Sequence, residues 1–150
     1  MIVLDSSVLV GIIKGEADAE TLLDFLAGEE CAIGTPTLVE TRAWCSVNLA
    51  ARVSHWLEDF IDSGPGIIVP FSREMADEAS RAFERFGRAS GHPARLNFGD
   101  CMAYAVAVVM RATQNEPGQP PDNAVLALRV TLTKQGGHWL VLGVSPLNPR

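Results

Sequence analysis

Three tripeptides without a polar residue, Ile2-Val3-Leu4, Cys31-Ala32-Ile33 and Ile67-Ile68-Val69, punctuate this chain, and helical patterns lie between and after them. Strands this short and apolar throughout suit a sheet covered on both faces, and strands alternating with helices point to parallel crossover connections. The fold class is α/β, a central parallel sheet flanked by helices. After the first strand, Ser6 or Ser7 can cap a helix carrying Val8, Leu9, Ile12 and Ile13, which Gly15 stops. A second helix over about residues 18–27 carries Leu22, Leu23 and Leu26. Thr35-Pro36 places an N-cap residue before a proline at the first helical position, opening a helix with Leu38, Val39, Glu40 and Trp44. A fourth helix is expected over about 52–61, and a fifth, capped by Ser72, carries Met75, Ala76, Ala79 and Phe83 on one face. Asn97 caps the sixth, which is apolar on nearly every side from Cys101 to Met110 and belongs in the interior.

A chain of 150 residues has the length of one domain. Its longest apolar runs fall short of a membrane span, so no membrane partner is expected. The start lacks a basic segment and contains Asp5, which argues against a secretory signal. Cys31, Cys45 and Cys101 form no CxxC and leave one thiol over, which fits reduced cysteines in the cytoplasm. His55, His92 and His138 lack zinc-ligand spacing.

The net charge of −6 by itself argues against a nucleic-acid partner, but the charge is unevenly distributed. Residues 1–110 hold 8 Lys and Arg against 16 Asp and Glu, whereas 111–150 hold 4 against 2. Within the acidic part, residues 85–95 contain three arginines and no acid. A flexible basic loop of this kind, leading to Asp100, can guide a polyanion toward a metal, with Arg88 and Arg95 as RNA-backbone contacts and His92 as a helper. The plainer alternative is a solvated loop.

Asp5, Glu40 and Asp100 each stand where a polar turn meets an apolar run. Singly, each has a structural explanation: Asp5 and Glu40 as acids near helix starts, Asp100 as the reciprocal member of a capping box with Asn97. Together they fall on the same end of the sheet, outside the carboxyl ends of the strands, where ligands bind in such folds. Clustered carboxylates repel one another without a cation, and an all-oxygen set suits Mg2+, with Mn2+ as the alternative.

The segments Ile-Val-Leu-Asp-Ser-Ser at the start, Pro-Thr-Leu-Val-Glu-Thr at 36–41 and Phe-Gly-Arg-Ala-Ser-Gly-His-Pro-Ala-Arg-Leu-Asn-Phe-Gly-Asp-Cys-Met-Ala-Tyr-Ala at 86–105 resemble PIN-domain ribonucleases of the VapC type, the toxins of bacterial type II toxin–antitoxin pairs. The resemblance implies a Mg2+- or Mn2+-dependent endoribonuclease with Asp5, Glu40 and Asp100 as catalytic, metal-binding acids. It further implies Ser6 or Ser7 as the hydroxyl beside the first acid, Asn97 as the polar buttress, a homodimer, and a cognate antitoxin covering the cleft.

The resemblance covers residues 1 to about 110, giving a PIN-like core over 1–112 and an atypical C-terminal tail over 113–150. Some 19 or 20 residues past Asp100, where the family pattern has a fourth acid, this chain has Gln119 and Pro120. Asp122 is the nearest acid, in a Pro-Pro-Asp-Asn context unlike the motif. Residues 124–133 and 139–144 read as two strands of a hairpin. Reduced activity is one expectation from that tail. Two alternatives stand beside the nuclease: an impaired PIN domain that only holds its antitoxin, and a phosphotransfer enzyme of the haloacid-dehalogenase type, which would need an acid where this chain has Ser7.

Overall fold

The computed structural model describes residues 2–17, 19–27, 29–49, 55–63, 66–114, 128–135 and 138–146. Three strands, β1 (Ile2–Leu4), β2 (Cys31–Gly34) and β3 (Gly66–Val69), form a parallel sheet in the order β1-β2-β3. Ile2 stands opposite Cys31, and Cys31 opposite Gly66. The helices are α1 (Ser6–Lys14), α2 (Ala19–Leu26), α3 (Thr35–Asn48), α4 (His55–Ser63), α5 (Arg73–Phe86) and α6 (Phe98–Gln114).

Because strand side chains alternate, the sheet feeds two apolar layers. Leu4, Cys31 and Ile33 pack with Val8, Leu9 and Ile12 of α1, Leu26 of α2, Leu38 of α3 and Leu57 of α4. On the opposite face Val3 and Val69 meet Met75 and Ala79 of α5 and Ala105, Val106 and Val109 of α6. Burial from Cys101 to Val109 confirms α6 as an interior helix. Gly34 lets α6 approach the end of β2: a Cβ there would lie 2.9 Å from Val106 Cγ2.

Local chemistry shifted several boundaries. The N-cap of α1 is Asp5 and not a serine, its carboxylate accepting from Ser7 N–H. A carboxylate beside the exposed amides of a helix start is a stronger acceptor than a hydroxyl. Gly15 closes α1 at φ 65°. The cap of α3 is Gly34, with Pro36 still in the first turn, while Thr35 Oγ1 accepts from Phe71 N–H at 3.1 Å. The tertiary bond captures the hydroxyl that capping would have used. Ser72 caps α5 as expected, accepting from Met75 N–H. The buried stripe of α5 is Met75, Ala79 and Ala82, leaving Ala76 and Phe83 exposed. That stripe turns one residue away from the expected face because α6 lies on the Ala79–Ala82 side. Ile67 of β3 is half exposed, so β3 is not the fully covered strand expected.

Helix α6 ends at Gln114, just past the expected core boundary. Two further strands, β4 (Leu128–Gln135) and β5 (His138–Pro146), pair antiparallel as a hairpin, and β5 passes near β1 and α1. Asp122, Gln119 and Pro120 lie outside the described residues.

Replacing fully buried Leu9 with Ala should lower unfolding free energy by about 2–5 kcal/mol, whereas Phe83→Ala on the exposed side of α5 should cost well under 1 kcal/mol. Urea denaturation of the two variants checks both values, and similar losses would contradict the assigned α5 face.

Candidate metal centre

Asp5 and Asp100 stand at helix starts, whereas Glu40, expected near one, lies in the second turn of α3, whose first turn holds no acid. Asp5 leaves the end of β1, is only 5% exposed, and turns its Oδ2 onto Ser7, accepting from Ser7 N–H at 3.1 Å and Ser7 Oγ at 2.8 Å. Its Oδ1 is buried with no hydrogen-bond partner. A buried carboxylate oxygen without a donor costs about 1–3 kcal/mol or more, so this atom is poised for a ligand that supplies positive charge.

Asp100 lies in the first turn of α6. Its Oδ2 accepts from Asn97 N–H at 2.6 Å, while Asn97 Oδ1 accepts from Asp100 N–H at 2.9 Å. This is the reciprocal capping box anticipated from the sequence, and it fixes the carboxylate's direction. The structural and functional readings of Asp100 are therefore compatible.

Glu40 projects from α3 toward the same end of α6. A Cβ built on Gly99 would fall 2.7 Å from Glu40 Oε2 and 3.2 Å from Asn97 Oδ1, so a side chain there would push the Glu40 carboxylate out of its present position. The Ser6 hydroxyl donates to Glu40. The two serines thus divide the work, Ser7 serving Asp5 and Ser6 serving Glu40.

The acids feel one another. Burial of its carboxyl end raises the Glu40 pKa, the charges of Asp5 and Asp100 raise it further, and the Ser6 hydrogen bond opposes them. Asp100 is likewise raised, first by burial and then by Asp5, against its bonds to Asn97 and the positive charge of Arg88. Among the described residues no three His, Cys, Asp or Glu side chains already close on one point. The donor set nevertheless fits a hard divalent cation: all oxygen, one atom orphaned, and two further acids within electrostatic reach. Cys101, next to Asp100, is no competing ligand, because burial and then Asp100 push its thiol up to about 11.

Beside Glu40 lies an open cleft of about 690 Å3 between α3 and α6, lined by residues including Val39, Glu40, Asn97, Phe98 and Met102. The basic stretch leads into Asp100, and the charge of Arg88 reaches its carboxylate. It is a closed loop and not the flexible segment expected: Arg88 N–H donates to Leu96 O, Leu96 N–H to Phe86 O, and Ala94 and Leu96 are buried against Ala82 and Cys101. Arg88 and Arg95 are exposed. Arg95 sits in the left-handed region at φ 48°, a conformation costing an ordinary residue about 1–2 kcal/mol. His92 is half-buried, and its Nδ1 accepts from Ala94 N–H.

Sequence reasoning missed Gly99. Its signal was a poor helix former placed inside the first turn, between a cap and a candidate ligand.

Residues 2–114 match the family model described as PIN domain. Ribonuclease VapC28 of Mycobacterium tuberculosis is 32% identical over 114 residues, covering 73% of this chain and 83% of that protein. Ribonuclease VapC36 of the same organism is 37% identical over 111 residues, covering 70% and 76%, and Ribonuclease VapC of Mycolicibacterium smegmatis is 32% identical over 108 residues, covering 71% and 83%. The chain belongs to the PIN-domain family, with VapC ribonucleases among its relatives. That membership displaces the haloacid-dehalogenase alternative.

The raised pKa of Glu40 has a defined sign. Its folded form binds a proton more readily than the unfolded chain, so stability increases as pH falls through the folded pKa and is lower at neutral pH. In EDTA at pH 7, Glu40→Gln should therefore melt at or above the wild-type temperature, with the difference shrinking in acid. Mg2+ or Mn2+ should raise the wild-type Tm, by about 2.7 kcal/mol of stability at a hundredfold excess over Kd, and leave Asp5→Asn unmoved. Thermal melts across pH and metal concentration test both signs.

Proposed function

We propose that this protein is a divalent-metal-dependent endoribonuclease, the toxin of a type II toxin–antitoxin pair. The observation that carries the reading is the buried, unpartnered Oδ1 of Asp5, with Glu40 and Asp100 within electrostatic reach of it. Asp5, Glu40 and Asp100 would hold the ion, with Mg2+ favoured by the all-oxygen set and Mn2+ compatible with it. The chemistry a bound cation supplies is charge neutralisation at the scissile phosphate and a more acidic attacking water.

The chain's own residues do the rest. Ser7 fastens Oδ2 of Asp5 and leaves Oδ1 unpartnered, Ser6 steadies Glu40, and Asn97 orients Asp100 through the capping box. Arg88 and Arg95 contact the RNA backbone in this reading, supported by their exposure and by the charge of Arg88 reaching Asp100. A local basic loop on an acidic protein attracts phosphates where they are needed and leaves the remaining surface repulsive.

A cognate antitoxin, a homodimer and a cytoplasmic location belong to the same reading. Exposed Val39 and Val47 of α3 and Phe98 of α6 leave apolar surface for a protein partner. Among the described residues no helix is long and apolar enough to cross a membrane. A second reading, a PIN domain that holds its antitoxin without cutting RNA, is favoured by Gln119 and Pro120 standing where the family pattern has a fourth acid. Asp122 is the remaining candidate for that role.

Asp5→Asn and Asp100→Asn should each reduce metal-dependent RNA cleavage at least a hundredfold while the circular dichroism spectrum is kept. Undiminished cleavage by wild-type protein in excess EDTA would overturn the metal mechanism, and complete inactivity with Mg2+ and Mn2+ would favour the second reading. Arg88→Ala with Arg95→Ala should weaken RNA binding and flatten its salt dependence by about two phosphate contacts, read from log K against log salt.

A further inference from the structure

The basic loop carries an internal fastening that involves neither arginine side chain. His92 precedes Pro93, whose ring restricts the preceding residue to extended backbone, and the imidazole folds over the proline so that Nδ1 accepts from Ala94 N–H at 3.1 Å. Side-chain acceptor at one residue and amide two residues on is the pattern of an Asx turn, made here with a ring nitrogen. The neutral ring therefore carries its proton on Nε2. It also meets Phe86 edge-on, with centroids 5.0 Å apart at 72°, and Phe86 in turn meets Tyr104 of α6 at 5.8 Å. The His92 backbone is held as well: its N–H donates to Ser90 Oγ, and its carbonyl accepts from Arg95 N–H at 3.1 Å. One residue thus ties together the end of α5, the left-handed turn at Arg95 and the helix bearing Asp100.

We propose that His92 is a positioning residue, whose Nδ1 holds the loop in the shape that brings the charge of Arg88 to Asp100 and presents Arg95 to solvent, and that it does not itself contact RNA. The inference rests on the reading of this loop as the RNA-backbone contact. It differs from the direct-contact role expected from the sequence, and the two roles use different ring nitrogens. Asparagine places a carbonyl oxygen close to the position of Nδ1 and caps an amide two residues on, whereas glutamine extends its polar group toward the position of Nε2. Phenylalanine keeps an aromatic ring against Phe86 and removes the acceptor.

The test uses the full chain with His92→Asn, His92→Gln and His92→Phe, and reads two quantities. The first is amide hydrogen exchange at Ala94 without RNA or metal. The second is affinity for a mixed-sequence single-stranded RNA in EDTA, with its salt slope. His92→Asn should stay within about threefold of wild type in both, whereas His92→Gln and His92→Phe should speed Ala94 exchange roughly fivefold, the factor one neutral hydrogen bond is worth. The latter two should also weaken RNA binding severalfold. RNA binding rescued by Gln and not by Asn overturns the proposal in favour of direct contact through Nε2. Unchanged Ala94 exchange in His92→Phe overturns the fastening itself. If Arg88→Ala with Arg95→Ala leaves RNA affinity untouched, the RNA reading of the loop fails, and the exchange data alone still decide whether His92 holds the loop.

Discussion

A carboxylate oxygen buried without a donor is the constraint on which the rest of the site depends. Asp5 cannot swing its Oδ1 out to solvent, because Oδ2 is fastened to both the amide and the hydroxyl of Ser7. The α1 amides offset part of its charge, as they do for any anion at a helix start. Adding Glu40 and Asp100 to the same region works against folding, as their raised pKa values show. The sheet and its two apolar layers tolerate that opposition because Leu4, Leu9 and Ile33, close to the site, are almost wholly buried. Stability drawn from the core is used to hold like charges together.

The basic loop is the electrostatic counterpart of those acids. A chain with net charge −6 has no long-range attraction for RNA, so any affinity has to come from a local arrangement. Order matters there, since a loosely held arginine loses side-chain and backbone freedom on binding, whereas a fixed one loses less. Ala94 and Leu96 are buried, the loop ends are joined by backbone hydrogen bonds, and Arg95 is held in a left-handed conformation by its neighbours. Arg88 then serves two ends, presenting charge to solvent and moderating the rise in the Asp100 pKa.

Much of this was legible in the residues. Apolar tripeptides followed by helical patterns gave the parallel sheet, and the acids at element junctions gave the candidate ligands, because both signals are carried by neighbours within a few residues. The resemblance over 36–41 and 86–105 added the family that the match over residues 2–114 then established. The Asn97–Asp100 capping box is similarly local, three residues apart, and was readable for that reason. At Thr35 and on α5, where local reading failed, a distant residue had intervened: Phe71 N–H engaged the Thr35 hydroxyl, and α6 selected which face of α5 was buried.

By itself, then, the sequence determined which segments are strands and helices, which acids stand at their ends, and that the basic stretch leads into Asp100. Only the tertiary structure decided which oxygen of Asp5 is left over, that Ser6 serves Glu40 while Ser7 serves Asp5, and that Gly99 clears the space the Glu40 carboxylate occupies. The reason is reach. Secondary structure and capping depend on contacts within about one helical turn, whereas the meeting of residues 5, 40 and 99 depends on how α1, α3 and α6 seat against one sheet, where the closeness of packing decides who touches whom.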